Sequence, residues 1–219
     1  MFLRANNNRP VVWQSLEAEL GPFRKYFKGK VLNAGAGNRD ISNIIEGELV
    51  NLDIPDGSHN SNIHIAAPLE KIPVEKEIFD VIICNAVLEH VEDVDSVMRE
   101  FYRVLKPGGY LYIGVPFMQP EHKDPKDFRR YTADGLAQLL EKHSFNIIEI
   151  RSIHSVYHTM GWIVHNWLTS EKKFSYWLLR QIIYPVLRYK TRTSKTNIDS
   201  ISSAFGAIAK KKENVVVRS

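Results

Sequence analysis

Short apolar runs of strand length recur along the first two thirds of the chain, at residues 30–34, 48–52, 62–65, 79–85, 110–115 and 146–151. Loops separate them, and in several of the gaps the apolar period changes from two to 3.6. The clearest helix is expected over 94–105, where Val94, Val97, Met98, Phe101, Val104 and Leu105 fall on one stripe behind Asp93 as N-cap, with Gly108-Gly109 ending the segment beyond Pro107. Another is expected over 132–143, capped by Thr132. A chain with this alternation folds as βαβ units. Val81-Ile82-Ile83-Cys84 is apolar at every position, the mark of a strand buried on both faces, so the sheet should be largely parallel with helices on each side.

The flanking segments depart from this rhythm. Residues 11–28 place Val12, Trp13, Leu16, Leu20, Phe23 and Phe27 close to helical spacing, with Gly21-Pro22 dividing them into two short helices. Residues 152–202 hold three of the four tryptophans and read as an aromatic helical insert, with helices over 156–168 and 174–188 and Pro185 kinking or ending the second. A last strand is expected at 204–210 and a frayed charged tail at 211–219. A length of 219 residues suits one domain over 1–219, with its core at 29–151 and 203–211, rather than two.

With 44% hydrophobic and 25% charged residues, the chain is globular rather than disordered. Its single cysteine, Cys84, allows neither an internal disulfide nor a cysteine-rich zinc site, and no metal is expected. The opening residues lack the apolar stretch of a secretory signal, and no apolar run nears the ~20 residues of a membrane span. A cytoplasmic protein is expected. The net charge of +4 is unevenly placed: residues 1–170 carry 18 Lys+Arg against 22 Asp+Glu, and residues 171–219 carry 11 against 3. Contact with an anionic partner is therefore expected at the C-terminal end.

Chemistry concentrates at the ends of the expected strands. Asn33-Ala34-Gly35-Ala36-Gly37 follows the first strand, where two glycines permit a tight turn and a ligand lying against the backbone, ahead of a short helix. A dinucleotide fingerprint would place a third glycine at position 40, where Asp40 would repel a pyrophosphate. Asp53, followed by Ile54, ends the second strand, where a carboxylate can accept hydrogen bonds from both ribose hydroxyls. Asn85 ends the fourth strand on the same carboxyl edge. Together these favour a nucleoside ligand without pyrophosphate at the turn.

This pattern of glycine loop, strand-two acid, Phe79-Asp80-Val81-Ile82, Leu88-Glu89-His90 and Leu105-Lys106-Pro107-Gly108-Gly109 resembles the class I S-adenosylmethionine-dependent methyltransferases of the small ubiquinone-biosynthesis-like type. The resemblance runs from about Val31 to Val115 and more weakly to Ile150. It implies a Rossmann-like, seven-stranded, mostly parallel α/β sheet with helices on both faces, the last strand inserted antiparallel and a helical insert before it. It also implies S-adenosylmethionine as cofactor, with Gly35 and Gly37 under the methionine part, Asp53 on the ribose, the backbone around Leu69 flanking adenine and Asn85 near the sulfonium. The sequence departs from the family at Asn33, where an acid is usual, and at Pro68, where an aspartate usually meets the adenine.

A methyl transfer to oxygen needs a base, and His90 and His122 are the candidates, with Tyr131 a third group near the expected site. His90 reads equally as a structural hydrogen-bonding residue, and His122 as a substrate contact or an exposed side chain. Arg129 and Arg130 could present a guanidinium fork to a carboxylate or phosphate, or pin their loop through Asp127 or Glu121. The His and Asp-Phe-x-Arg-Tyr-Thr pattern is similar to methyltransferases of sugar and cell-surface polysaccharide biosynthesis. These features imply a small or lipid-linked acceptor, an anionic glycan or sugar derivative. Residues 174–195 can act as a lid, as a peripheral membrane contact or as a homodimer interface. A noncatalytic protein that kept the fold, or an RNA methyltransferase, is the alternative; no DNA partner is expected.

Overall fold

The computed structural model describes residues 16–54, 62–123, 125–170 and 173–213. Its centre is a seven-stranded sheet built from β1 (Lys28–Ala34), β2 (Glu46–Asp53), β3 (Ile65–Ala66), β4 (Phe79–Asn85), β5 (Leu105–Pro116), β6 (Phe145–Ile153) and β7 (Ala204–Lys211). The strand order is β3-β2-β1-β4-β5-β7-β6. Neighbours from β3 to β5 are parallel, and β7 enters antiparallel between β5 and β6. Because the order reverses between β1 and β4, the carboxyl ends of these two strands open a crevice, the place where such sheets bind ligands.

Alternation along each strand divides the core into two layers. Leu32, Ala34, Ile82, Cys84, Leu111 and Ile113 face one side, against α2 (Val94–Val104) and α3 (Ala133–Lys142). Val31, Val81, Ile83, Tyr112 and Ile208 face the other, against Leu20 of α1 (Leu16–Leu20) and Phe23 and Phe27 of the turn that follows. Helix α2 forms as its spacing requires: Val97, Met98, Phe101 and Val104 are fully buried, each contributing about 1.5–3 kcal/mol, and Asp93 accepts the Ser96 amide at 3.0 Å as N-cap. Thr132 caps α3 in the same way through the Gly135 amide, at 3.0 Å.

Several sequence expectations are corrected. No α-helix follows the glycine turn; the chain makes only a 3-10 turn at Ser42–Ile44, started by Asp40 accepting the Ser42 amide at 2.8 Å. Only residues 35–45 separate β1 from β2, barely the length a crossover with its own helix demands. The third strand shrinks to two residues. The Leu-Lys-Pro-Gly-Gly segment does not stand between helix and strand but opens β5, with a register shift between Phe79 and Val81 that absorbs it. Val12 and Trp13 of the expected N-terminal helix, and most of the charged tail, lie outside the described residues.

The insert forms α4 (Val156–Thr169) and α5 (Phe174–Thr193), which pack on each other. Helix α5 runs through Pro185 instead of ending there. Pro185 is exposed, while Tyr184, Leu187 and Thr191 form a buried stripe, so packing on that side holds the helix across the missing amide.

Candidate active site

The glycine turn is tied to the end of β2 by three bonds. The amides of Gly35 and Ala36 both donate to the Leu52 carbonyl, at 2.9 and 3.0 Å, and the Gly37 amide donates to Asp53 Oδ2 at 2.6 Å. Gly35 has φ +71°, and a Cβ there would lie 2.5 Å from Val87 Cγ2, so this glycine lets the turn after β4 close against the turn after β1. Gly37, at φ +53°, faces open space. Asp53 also accepts the Ile54 amide at 2.7 Å, which orients the carboxylate at the end of β2. Beside it Ile54 is exposed, an apolar side chain available to a ring. This combination of open turn, oriented carboxylate and exposed apolar neighbour fits a nucleoside. Asn33 donates its side-chain amide to Asn51 at 3.0 Å across β1 and β2, and Leu69 is buried in the core, leaving only backbone there for a ligand.

At the end of β4, Asn85 is buried and its side chain lies against Gly114 on β5, where a Cβ would collide with it. Ala86 then adopts φ +55°, a conformation that costs an alanine about 1–2 kcal/mol, and donates its amide to the Gly114 carbonyl at 2.8 Å. Arg39, which the sequence pattern did not single out, reaches in from the glycine turn and donates to the Asn85 carbonyl at 2.5 Å. Burial lowers its pKa, opposed by the charges of the Glu19 and Glu89 carboxylates.

The segment after β5 explains the paired arginines. Arg129 donates to the Val91 and Glu92 carbonyls at 2.8 and 2.9 Å. Arg130 grips Asp127, with Nη2 to Oδ2 at 2.6 Å, and donates to the Gln119 and Pro120 carbonyls at 3.2 and 3.0 Å. The pair holds the Asp127 carboxyl down to about 2. Of the two expected roles, the hydrogen bonds realise loop pinning. The Phe128 amide adds a bond to the Glu89 carbonyl at 2.8 Å. This sewing brings His122 against the turn after β4, where its Nε2 lies 3.6 Å from Glu89 Oε1 and His90 Nε2 lies 3.7 Å from the same oxygen. The Glu89 carboxylate raises the His122 pKa, against the opposing effect of burial. Burial likewise raises that of Tyr131, which is therefore a proton donor rather than a base near neutrality. Glu89 itself escaped the sequence reading; its signal was an acid set between the apolar Leu88 and a histidine.

The sequence family described as a methyltransferase domain matches residues 32–113. The ubiquinone/menaquinone biosynthesis C-methyltransferase UbiE of Vibrio campbellii is 28% identical over 138 residues, covering 54% of this chain and 49% of that protein. The UbiE of a Shewanella species is 32% identical over 113 residues, covering 43% and 45%. These matches and the fold support a class I S-adenosylmethionine-dependent methyltransferase. The chain spans about half the length of the curated relatives it matches. Among solved structures, the fold of this chain is similar to that of a SAM-dependent methyltransferase from Archaeoglobus fulgidus (TM-score 0.59, 15% identity, 90% of this chain and 93% of that one). It is also similar to the [4+2]-cyclase SpnF (TM-score 0.62, 15% identity, 95% and 86%), so the fold alone does not assign a reaction.

Two further features concern the end of β6 and the insert. A cavity of about 1000 Å³ opens at the end of β6, lined by Glu19, Arg151, His154, Arg192, Lys195 and Asp199 among others. His154 donates or accepts at both ring nitrogens, meeting Glu19 Oε1 at 2.8 Å and Ser203 Oγ at 2.9 Å. The helix that supplies Arg192 also carries an exposed apolar stripe, Phe174, Leu178, Ile182, Val186 and Tyr189, with Phe174 76% and Ile182 63% exposed. Helix α4 adds Met160, Ile163 and Trp167, a second exposed stripe at helical spacing. No described helix is long and apolar enough to cross a membrane.

Proposed function

We propose that this methyltransferase moves the methyl group of S-adenosylmethionine to an oxygen of a lipid-linked, anionic acceptor at the surface of an anionic membrane. The observation that carries this reading is the α4–α5 pair. Helix α5 buries one stripe and exposes another of large apolar and aromatic side chains, and its last turn is basic, with Lys190 and Arg192. A helix apolar on two sides needs a second apolar phase, and the cationic turn favours one with negative headgroups. The same helix ends at the cavity beside β6, where Arg151, Arg192 and Lys195 suit an anionic headgroup.

On this reading the turn at Gly35–Gly37 lies under the methionine part, Asp53 takes the ribose hydroxyls, Ile54 and the backbone at Leu69 flank the adenine, and Asn85 lies near the sulfur. The cofactor supplies a methyl group on a positively charged sulfur, a leaving group that needs no proton. The protein's work is then to align the acceptor and to exclude water, with near-attack distances of roughly 3–3.5 Å. An oxygen acceptor must also lose its proton, which favours the imidazoles of His90 and His122 as the receiving groups.

The test is to incubate the protein with methyl-labelled S-adenosylmethionine and membranes of the cells that make it, then to extract with organic solvent. Label in the lipid phase, on oxygen by mass spectrometry, is the expected result. Label confined to water-soluble products would overturn the lipid-linked acceptor, and failure of folded protein to bind S-adenosylhomocysteine would favour a noncatalytic role for the fold.

A further inference from the structure

We propose that Glu89, His90 and His122 form a three-ligand site for a divalent first-row transition metal ion. Glu89 is 0% exposed, and neither of its carboxylate oxygens has a hydrogen-bond partner. A buried carboxylate without such partners is costly, and the Arg39 guanidinium acts on it through charge without a hydrogen bond, so the site suits a cation bound to the carboxylate directly. The two groups that face it are imidazoles, each able to present a lone pair. His90 Nδ1 lies 2.6 Å from the Lys126 carbonyl, which can only accept, so the ring proton sits on Nδ1 and Nε2 is left as an acceptor. His122 Nδ1 faces the Pro120 carbonyl at 3.3 Å and Asp127 Oδ2 at 3.7 Å. Arg130 Nη2, 3.4 Å away, can only donate and already donates to Pro120 and Asp127, so this nitrogen faces a donor as well as acceptors.

Three atoms able to ligate, one from each side chain, lie within 4.8 Å of one another. The separations of 3.6 and 3.7 Å between Glu89 Oε1 and the two Nε2 atoms are too long for a proton to bridge well. They come close to the edge of a coordination tetrahedron with ligand bonds of about 2.0–2.1 Å, which is roughly 3.4 Å. Backbone carbonyls fixing the far nitrogen of each imidazole are the usual outer support of metal-binding histidines. Two imidazoles and one carboxylate suit zinc, iron or a neighbouring ion and are poor ligands for magnesium or calcium, which take oxygen. The side chains of His90 and His122 are 15% and 31% exposed, so an ion can enter from their side.

Binding of the ion requires neither cofactor nor acceptor. Only its use rests on the methyl-transfer reading. With both Nε2 lone pairs taken by the ion, the ion would replace the free imidazoles as the means of deprotonation, lowering the pKa of an acceptor hydroxyl placed on it so that its proton leaves to solvent. The experiment is to strip the full chain with chelator and titrate it with Zn²⁺, Co²⁺ and Mg²⁺ by calorimetry, following the cobalt form by visible absorption. One Zn²⁺ per chain, a cobalt d–d spectrum of low coordination number and no competition by Mg²⁺ are expected. Glu89→Gln should weaken Zn²⁺ binding at least ~10-fold, and so should His122→Ala, whose side chain sits on a half-exposed loop and keeps the fold if the buried variant does not. Circular dichroism establishes that each variant is folded. Absence of saturable Zn²⁺ binding to folded wild type, equal binding of Mg²⁺, or binding untouched in folded His122→Ala would overturn the site. S-adenosylhomocysteine titrated into the same stripped sample reports on the methyltransferase reading separately.

Discussion

Gly35, Gly37 and Asp53 owe their legibility to position: each stands at the carboxyl end of a strand whose apolar run announces it. Asp53 is held by two backbone amides, so Asp53→Asn should leave the fold intact while removing the charge proposed to meet the ribose hydroxyls. The expected loss is about 1.5–3 kcal/mol, a weakening of roughly 10- to 100-fold in S-adenosylhomocysteine affinity by calorimetry. Unchanged affinity would remove Asp53 from the site. Gly35→Ala acts differently, through φ +71° and the approach of Val87. Backbone strain and overpacking together should cost about 2–4 kcal/mol of stability, read as a lower urea midpoint, with cofactor binding lost alongside. Glu89, Arg39 and His154 were not legible. Their partners come from other elements, His122 on the far side of β5 and Glu19 on α1, and no spacing in the sequence encodes a contact made by a loop sewn across two strand ends.

Helices α2 and α3 could be read from their stripes and caps, yet what fastens one to the other could not. Asp95 in the first turn of α2 accepts from Lys142 at 2.7 Å and meets His143 Nε2 at 2.8 Å, both at the end of α3. These partners, Lys142 foremost, hold its carboxyl down to about 2, below the ordinary 3.8. A carboxyl whose folded pKa is depressed contributes stability that is present above 3.8 and lost as the pH falls through the folded value. The melting temperature of wild type should therefore exceed that of Asp95→Asn near neutrality, and the gap should close as the pH falls from about 4 to about 2. A gap that stays constant over that interval would show the clasp to be inert. Helix α5 is the reverse case: of the two outcomes expected at Pro185, ending does not occur, and the buried stripe of Tyr184, Leu187 and Thr191 carries the helix past it. Since Pro185 is exposed and donates no amide, Pro185→Ala should raise the melting temperature if the freed amide regains its helical bond.

Only the family resemblance implied the antiparallel last strand. The parallel sheet and the placement of the insert were visible as a rhythm of apolar runs, because burial on both faces leaves little room for any other arrangement. The missing helix after the glycine turn was not, since its absence follows from the length of one crossover rather than from any residue in it. Charge asymmetry gains its meaning only with the fold. The basic C-terminal section becomes the last turn of α5 and the rim of the β6 cavity, next to exposed apolar stripes, so both should act on one surface and be separable by salt. Sedimentation with vesicles containing phosphatidylglycerol, but not with pure phosphatidylcholine, is expected at low ionic strength. Neutralising Lys190, Arg192 and Lys195 together should remove about 1 kcal/mol each and weaken that association roughly 100-fold, and should flatten its salt dependence. Phe174→Ser with Ile182→Ser should instead weaken the association at every salt concentration and leave the slope intact, since apolar transfer is not screened. If both variants bind vesicles as wild type does, while Ile182→Ser dissociates a dimer seen by ultracentrifugation, the stripe belongs to a second copy of the chain and not to a membrane.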